Sequence, residues 1–334
     1  MNIPPLSRPY FSPVRERERI WLIVCWLVTI ISALILFFAW PQTRTHELVA
    51  YFYQLSSTPL GYLFKAITFL GDDEFFMVFF GIMLWCVNKS LAFWVTFMLL
   101  TSGVYRGVIK ELTFLERPYF EGVTHPPDTA FPSGHTLTAV TVWGYLAVRI
   151  RKTGFWVWTV LLVIGMGLSR MVLGHHYLGD VLGGIALGIP FLLLFIWLSA
   201  LFIEKGWLEK FSLPLLLGLA LLGPVILTAV LPGADSPKLL GYLAGASFGY
   251  ILEKEKIRSI TATTLPLQVV KAILGLAILF AIIIGLGGLL PSAGPDAPFA
   301  AKMVGFLRYA LGGIWANLIA PALFVGLKLT PREE

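Results

Sequence analysis

Apolar residues fill this chain in long blocks, and polar residues interrupt them in short clusters. The blocks run over 20–40, 75–87, 91–112, 136–148, 155–173, 182–202, 213–231, 239–252, 267–290 and 303–327. A helix crosses the hydrocarbon core of a bilayer with about 20 residues. In lipid its backbone groups must be satisfied internally, which favours helices. The pattern therefore predicts ten transmembrane helices. The second, fourth and eighth blocks are short, and neighbouring polar residues must extend them. Segment 46–70 is apolar but broken by Ser56-Ser57-Thr58-Pro59 and Gly61. It reads as one or two helices lying in the interface. The alternative, a re-entrant or extra span, would reverse the orientation of everything after it. No internal repeat is evident. The expected fold is all-α: a polytopic transmembrane bundle with a six-helix core and about four additional C-terminal helices.

Composition supports the membrane reading. Of 334 residues, 57% are hydrophobic and only 13% charged, where a soluble domain carries about 25%. Mean hydropathy is +0.81. The net charge of +6 does not point to nucleic acid, because the basic residues gather in short loops rather than along one face. Cys25 and Cys86 both lie inside apolar blocks, which argues against a disulfide framework or a thiolate metal site. The first block is long and has no small-residue cleavage site, so it reads as a retained first helix.

Loop cations orient the helices. With the N-terminus inside, one side collects Arg8, Arg15, Arg17, Arg19, Lys89, Arg149, Arg151, Lys152, Lys205, Lys210, Lys254, Lys256, Arg258, Lys328 and Arg332. The opposite loops are poor in Lys and Arg apart from the clusters described next. By the positive-inside rule the first side is cytoplasmic, and the clusters share the other face.

Three clusters carry chemistry. The first is Lys110-x6-Arg117-Pro118, the second Pro132-Ser133-Gly134-His135, the third Ser169-Arg170-x5-His176-x3-Asp180. On a helix His176 and Asp180 would share one face, one turn apart. Asp180 can then fix the imidazole tautomer and stabilise the charge formed on attack; a purely structural His–Asp pair is the alternative. His175 is in the wrong register for such a partner. Ser133 and backbone N–H groups at a helix start can bind an anion, with His135 placed as general acid, or serve as a cap beside a solvated histidine. Lys110, Arg117 and Arg170 are boundary cations. Such charges are costly and usually functional or paired, and three at one site would neutralise a phosphate and its transition state. Singly, each could instead snorkel to headgroups.

In order and spacing the clusters resemble the three signature motifs of the type 2 phosphatidic acid phosphatase superfamily, over 75–202. All the defining positions are present: Lys110, Arg117, Pro118, Ser133, Gly134, His135, Ser169, Arg170, His176 and Asp180. The resemblance implies a membrane phosphatase that works through a phosphohistidine with neither metal nor cofactor. It makes His176 the nucleophile, Asp180 its orienter and His135 the general acid. Lys110, Arg117, Ser133, Gly134 and Arg170 would bind the phosphate. Vanadium haloperoxidases share these motifs but are soluble, so composition argues against that branch.

The implied activity is hydrolysis of a lipid phosphate: a polyprenyl diphosphate, phosphatidic acid or phosphatidylglycerol phosphate, or a sphingoid-base phosphate. The motifs hold phosphate and do not read the tail. Three other readings stand beside it: a phosphotransferase using the same phosphohistidine, a glucose-6-phosphatase-like enzyme with a soluble substrate, and a non-enzymatic lipid-phosphate transporter or scaffold. The intact histidines speak against the last. The expected setting is a bacterial cytoplasmic membrane, with the N-terminus cytoplasmic and the site on the outer face.

The linear division expected is a cytoplasmic tail 1–19, a phosphatase core 20–203 containing the interfacial segment 46–70, and additional helices 204–334. A stabilising scaffold, a homodimer interface, a wider lipid groove and a second activity are the uses open to the added helices. Arg106, one turn below Lys110, is placed to support the site together with Ser169, or to pair with Glu111 or Glu116. Lys302 and Arg308 either snorkel or receive a second phosphate. Asp72-Asp73-Glu74 reads as a solvated turn or an acidic rim, and His125 and Asp128 as ordinary loop residues.

Overall fold

A computed structural model describes residues 16–125, 128–203, 210–233, 235–294 and 296–333. Most of the expected cytoplasmic tail, and Lys205, lie outside the described residues. Within them the chain is helical almost throughout, and the only β contact is an isolated bridge between Ser259 and Arg332.

The chain forms two compact units. One comprises Met1–Phe75 with Val108–Trp207, the other Phe76–Gly107 with Leu208–Glu334. Segment 76–107 thus packs with the C-terminal helices, a grouping that a division by chain order does not express.

In the first unit, α1 (Glu16–Phe38) runs along α10 (Leu178–Ile203). The chain then bends by 105°, where Pro41 opens the short α2 (Trp40–Thr43); proline suits a first helical turn because its missing N–H is not needed there. Segment 46–70 becomes α3 (His46–Tyr53), one 3₁₀ turn, and α4 (Pro59–Phe69). α4 packs on α9 (Thr153–Val172). The short fourth block is lengthened by the residues before it: α7 (Gly134–Thr138), a π-helical turn over Ala139–Trp143 and α8 (Gly144–Ile150) follow without a break. Such π turns often mark functional regions. α7 lies close against α10 because Gly184 has no side chain. A Cβ there would stand 2.9 Å from the Ser133 carbonyl oxygen and 3.0 Å from the Thr136 Cβ.

Two helices straddle the division. α5 (Asp73–Ile82) continues into a π turn over Met83–Val87, and α6 (Lys89–Thr113) gives its last residues, from Val108, to the first unit. The second unit also contains α11 (Leu213–Val230), α12 (Ser236–Leu252), α13 (Leu265–Ile283), α14 (Phe299–Ile314) and α15 (Ala320–Gly326). Its core joins Leu100 and Val104 to Leu240, Leu243, Ala244, Phe306 and Ala310. Gly241 and Gly245 bring α12 onto the backbone of α14 at Phe306 and Ala310, the small-residue contact through which helices pack in membranes.

Among the described residues six helices are long and apolar enough to cross a bilayer, or seven if the bent pair around residue 39 forms one span. The three short blocks of the sequence pattern are helical but fall below that length and apolarity. Large apolar side chains such as Leu219, Leu222, Ile226 and Val230 of α11 stand exposed. This is a multi-pass membrane protein.

Candidate active site

All three clusters reach one place in the first unit. α6 ends at Thr113, and Phe114 takes a left-handed φ of 47° that turns the chain away. Lys110 therefore sits in the last helical turn and Arg117 in the loop beyond it. The second cluster forms the turn into α7. The third spans the end of α9 and the start of α10. Ser133 donates its backbone N–H to the Asp180 carbonyl at 2.9 Å, which ties the second cluster to the third.

His176 and Asp180 meet, but not along one helix face. His176 lies in the turn before α10, and Asp180 lies in that helix's first turn. The Asp180 carboxylate accepts the Tyr177 backbone N–H at 2.9 Å, as an acidic residue at the third helical position does in a capping box. The helix start, rather than helical periodicity, brings the pair together. Nδ1 of His176 is 3.5 Å from Oδ2 of Asp180. On the other side of the ring, Nε2 accepts from Nη1 of Arg117 at 3.1 Å. His176 is 2% exposed and Asp180 fully buried. Burial first, then the charges of Arg117, Arg170 and Lys110, hold the His176 pKa well below the ordinary imidazole value. The ring is thus neutral at pH 7, with a lone pair available.

His175 has a different environment. Its carbonyl accepts from Arg117 at 3.1 Å, and its Nδ1 stands 3.4 Å from Nδ1 of His125. Burial and Arg170 push its pKa down to about 3. It contributes a backbone acceptor to the site.

The cations converge. Lys110 is buried, donates to the Thr129 carbonyl and lies 3.0 Å from Oδ2 of Asp128. Arg117 grips Oδ1 of the same carboxylate at 2.5 Å. Arg170 is 7% exposed and donates to Oγ1 of Thr68 at 2.7 Å. Its Nε is buried without a hydrogen-bond partner. An unmet buried N–H is costly, and an oxyanion would satisfy it. Ser169 is fully buried and donates to the Met166 carbonyl at 2.7 Å, a support for the end of α9. The Ser133 hydroxyl accepts from Thr136 at 3.0 Å. Nε2 of His135 is 2.9 Å from Oδ1 of Asp72. Arg106 falls in the second unit, its Nε buried without a hydrogen-bond partner. In that unit Arg308 donates to Ser292 at 2.9 Å.

Four residues joined to this site lie outside the three motifs. Arg44 forms an ion pair with Asp180 and also donates to the Glu116 carbonyl at 2.7 Å. Its guanidinium stacks over Tyr177 at 4.6 Å. Thr68 and Asp72 arrive from α4 and the turn after it. Asp128, read from the sequence as an ordinary loop residue, bridges Lys110 and Arg117. Burial favours its protonated form, but Lys110 and Arg117 outweigh that and hold it below the usual carboxylate range.

On the reading that Lys110 and Arg117 bind the phosphate, the Asp128 carboxylate that both hold would compete with its oxygens. Removing its charge should tighten anion binding. In an Asp128→Asn variant the inhibition constant of inorganic phosphate is expected to fall about tenfold, the equivalent of about 1.4 kcal/mol. An unchanged or higher constant in inhibition assays would show that Asp128 does not compete with the ligand.

The PAP2 superfamily model matches residues 91–204, and the model for the PAP2 superfamily phosphatase transmembrane extension matches 237–332. Phosphatidylglycerophosphatase B of Bacillus subtilis (strain 168) is 30% identical over 167 residues, covering 45% of this chain and 76% of that protein. The chain belongs to the PAP2 superfamily. Two shorter similarities accompany it. The bacitracin transport permease protein BcrC of Bacillus licheniformis is 37% identical over 81 residues, 24% of this chain and 35% of that protein. Undecaprenyl-diphosphatase BcrC of B. subtilis (strain 168) is 38% identical over 69 residues, 20% and 34% of the respective chains. The match thus spans about a third of each BcrC protein. Among solved structures, the first transmembrane PAP2-type phosphatidylglycerolphosphate phosphatase from B. subtilis is 23% identical, covers 57% of this chain and 97% of that chain, and gives a TM-score of 0.43. This PAP2 protein is a phosphatase, and it carries the family's transmembrane extension beyond its catalytic segment.

Proposed function

We propose that this PAP2 phosphatase hydrolyses a lipid phosphate monoester or diphosphate through a phosphohistidine on His176. The observation that carries this is the disposition of His176: a neutral buried imidazole with the Asp180 carboxylate 3.5 Å from Nδ1 and Arg117 hydrogen-bonded to Nε2. Arg117 now caps the lone pair that would attack. When a phosphate enters, Arg117 and Lys110 exchange Asp128 for its oxygens, and the Arg170 Nε gains an acceptor. Nε2 then attacks phosphorus in line with the leaving oxygen. His135 protonates that oxygen as the bond breaks. Asp180, 3.5 Å from Nδ1 in the resting site, accepts a hydrogen bond from Nδ1–H as positive charge develops and stabilises the cationic phosphoimidazole. Water, deprotonated by His135, then displaces histidine and releases phosphate. Charge neutralisation and positioning carry most phosphoryl transfer, and Lys110, Arg117 and Arg170 supply both.

The relatives' names suggest the substrate class: phosphatidylglycerol phosphate and undecaprenyl diphosphate. Loop charges support a cytoplasmic N-terminus and a site on the non-cytoplasmic face, in a bacterial inner membrane. The substrate's tail would then stay in the outer leaflet while its headgroup enters the site.

Purified protein tested against these lipids, with phosphatidic acid and a sugar phosphate alongside, is expected to release phosphate from long-chain substrates in EDTA and without an acceptor alcohol. Loss of activity on chelation would contradict the metal-free route. A strict need for an acceptor would favour transfer over hydrolysis, and preference for the sugar phosphate would refute the lipid assignment.

A further inference from the structure

The first-unit site contains an acidic contact that the three motifs do not include. Asp72 occupies the turn between α4 and α5, and its Oδ1 stands 2.9 Å from Nε2 of His135. The contact is tightly built. Gly71, beside Asp72, has no side chain, and a Cβ there would lie 2.7 Å from Cδ2 of His135 and 3.0 Å from the methyl of Met166 on α9. The missing side chain lets the turn press its carboxylate onto the ring. Further charged and titratable groups of the site come from other elements. Arg170 on α9 lies within the electrostatic reach of both Asp72 and Asp128. His175 and His176, from the turn before α10, each feel the charge of His135.

We propose that Asp72 is the positioning residue of the general acid: its carboxylate holds the His135 imidazolium through Nε2–H, so that the Nδ1 proton is delivered to the leaving oxygen. This inference rests on the reading of His135 as general acid given above. The proton count closes over the cycle. As the bond from phosphorus to the leaving oxygen breaks, its electron pair stays on that oxygen, which takes the Nδ1 proton. His135 is then neutral and still donates Nε2–H to Asp72. When water attacks the phosphohistidine, Nδ1 accepts a water proton, the bond from phosphorus to His176 breaks, and the imidazolium is restored. Asp72 exchanges no proton in this cycle and favours the charged ring, as an opposite charge within hydrogen-bond distance does.

A plain alternative exists. Asp72 immediately precedes α5 and is placed to cap its N-terminus. Asparagine caps as well as aspartate, so Asp72→Asn preserves the cap and removes only the charge. The sign of the pH effect follows directly. The carboxylate 2.9 Å from Nε2 favours the imidazolium, so neutralising it should let the ring lose its proton more easily, and turnover that needs imidazolium should fail at a lower pH.

The test uses purified full-length protein and two substrates. One is dioctanoyl phosphatidic acid, whose leaving group is an alkoxide that needs a proton. The other is 4-nitrophenyl phosphate, whose leaving group departs without one. For Asp72→Asn, kcat on the lipid is expected to fall about 10- to 100-fold, part of the roughly 10²–10⁴-fold that a placed acid contributes. Its alkaline limb should move down by about one pH unit, while the aryl phosphate loses only about two- to threefold. KM should change little for either. Equal losses on both substrates without movement of the limb would reduce Asp72 to a structural cap and overturn the proposal. His135→Asn separates this inference from the one beneath it. If His135→Asn abolishes lipid turnover while Asp72→Asn behaves as wild type, the Asp72 role alone is refuted. If His135→Asn retains lipid turnover, the general-acid assignment falls and this inference falls with it.

Discussion

Replacing His176 by alanine is expected to lower phosphate release by roughly 10⁵- to 10⁶-fold, the scale at which hydrolases respond to loss of a covalent nucleophile. His176 receives this rank because it combines three properties. Its imidazole is neutral and buried, Nε2 lies beside the cation that would bind the transferred phosphoryl group, and Nδ1 faces a fully buried carboxylate. His175 is neutral too, but it is only half-buried and lacks the carboxylate. His175→Ala should therefore reduce activity far less, chiefly by loosening the carbonyl that Arg117 holds. The His176→Ala protein should remain folded. Arg117 keeps Asp128 and the His175 carbonyl, and the lost side chain leaves a cavity costing about 1–3 kcal/mol. Detergent-phase chromatography and thermal unfolding would separate a folded, inactive protein from a misfolded one. A folded variant with more than about one hundredth of wild-type turnover would remove His176 from the mechanism.

The second large effect is expected at Asp180. Asp180→Asn should reduce kcat by about 10³- to 10⁴-fold, because an amide cannot hold the same imidazole tautomer or balance its positive charge. It should also destabilise the protein, for a separate reason. Arg44 pairs with this fully buried carboxylate while only 12% exposed itself, and breaking such a pair from one side costs about 3–5 kcal/mol. The two effects can be pulled apart. Adding Arg44→Gln removes the stranded charge, so the double variant should recover much of the lost thermal stability and none of the lost kcat. Recovery of both together would mean that Asp180 serves only to anchor Arg44, and the orienting role would fail. Unfolding curves and initial rates on the same detergent-purified samples supply both readouts.

These two residues also show how far the sequence carries. Their adjacency was legible because the separation of four residues suggested proximity. The local structure was not, because the pair forms at a helix start where Asp180 caps the Tyr177 N–H. Arg44 was invisible. It lies 136 residues from Asp180, and a lone arginine after an apolar block resembles a snorkelling anchor. Asp72 was seen as an acidic turn, but its partner lies 63 residues away and no local spacing announces it. Asp128 read as loop because the two cations it bridges approach it only when the loop after α6 folds back. Apolar blocks gave the helices, since lipid leaves the backbone few alternatives. The bend near residue 39 and the π turns were hidden, as they depend on packing rather than periodicity. The grouping of 76–107 with the C-terminal helices was hidden too, because α5 and α6 straddle the two units.

The account turns on a covalent phosphohistidine at His176. Rapid mixing of the enzyme with a lipid carrying labelled phosphorus, quenched in alkali within the first turnover, tests it most directly. The label should appear on the protein, survive base, be lost in acid, map to His176, and be absent from His176→Ala. Labelled phosphate released with no protein-bound intermediate at any quench time, or label residing on another residue, would contradict it.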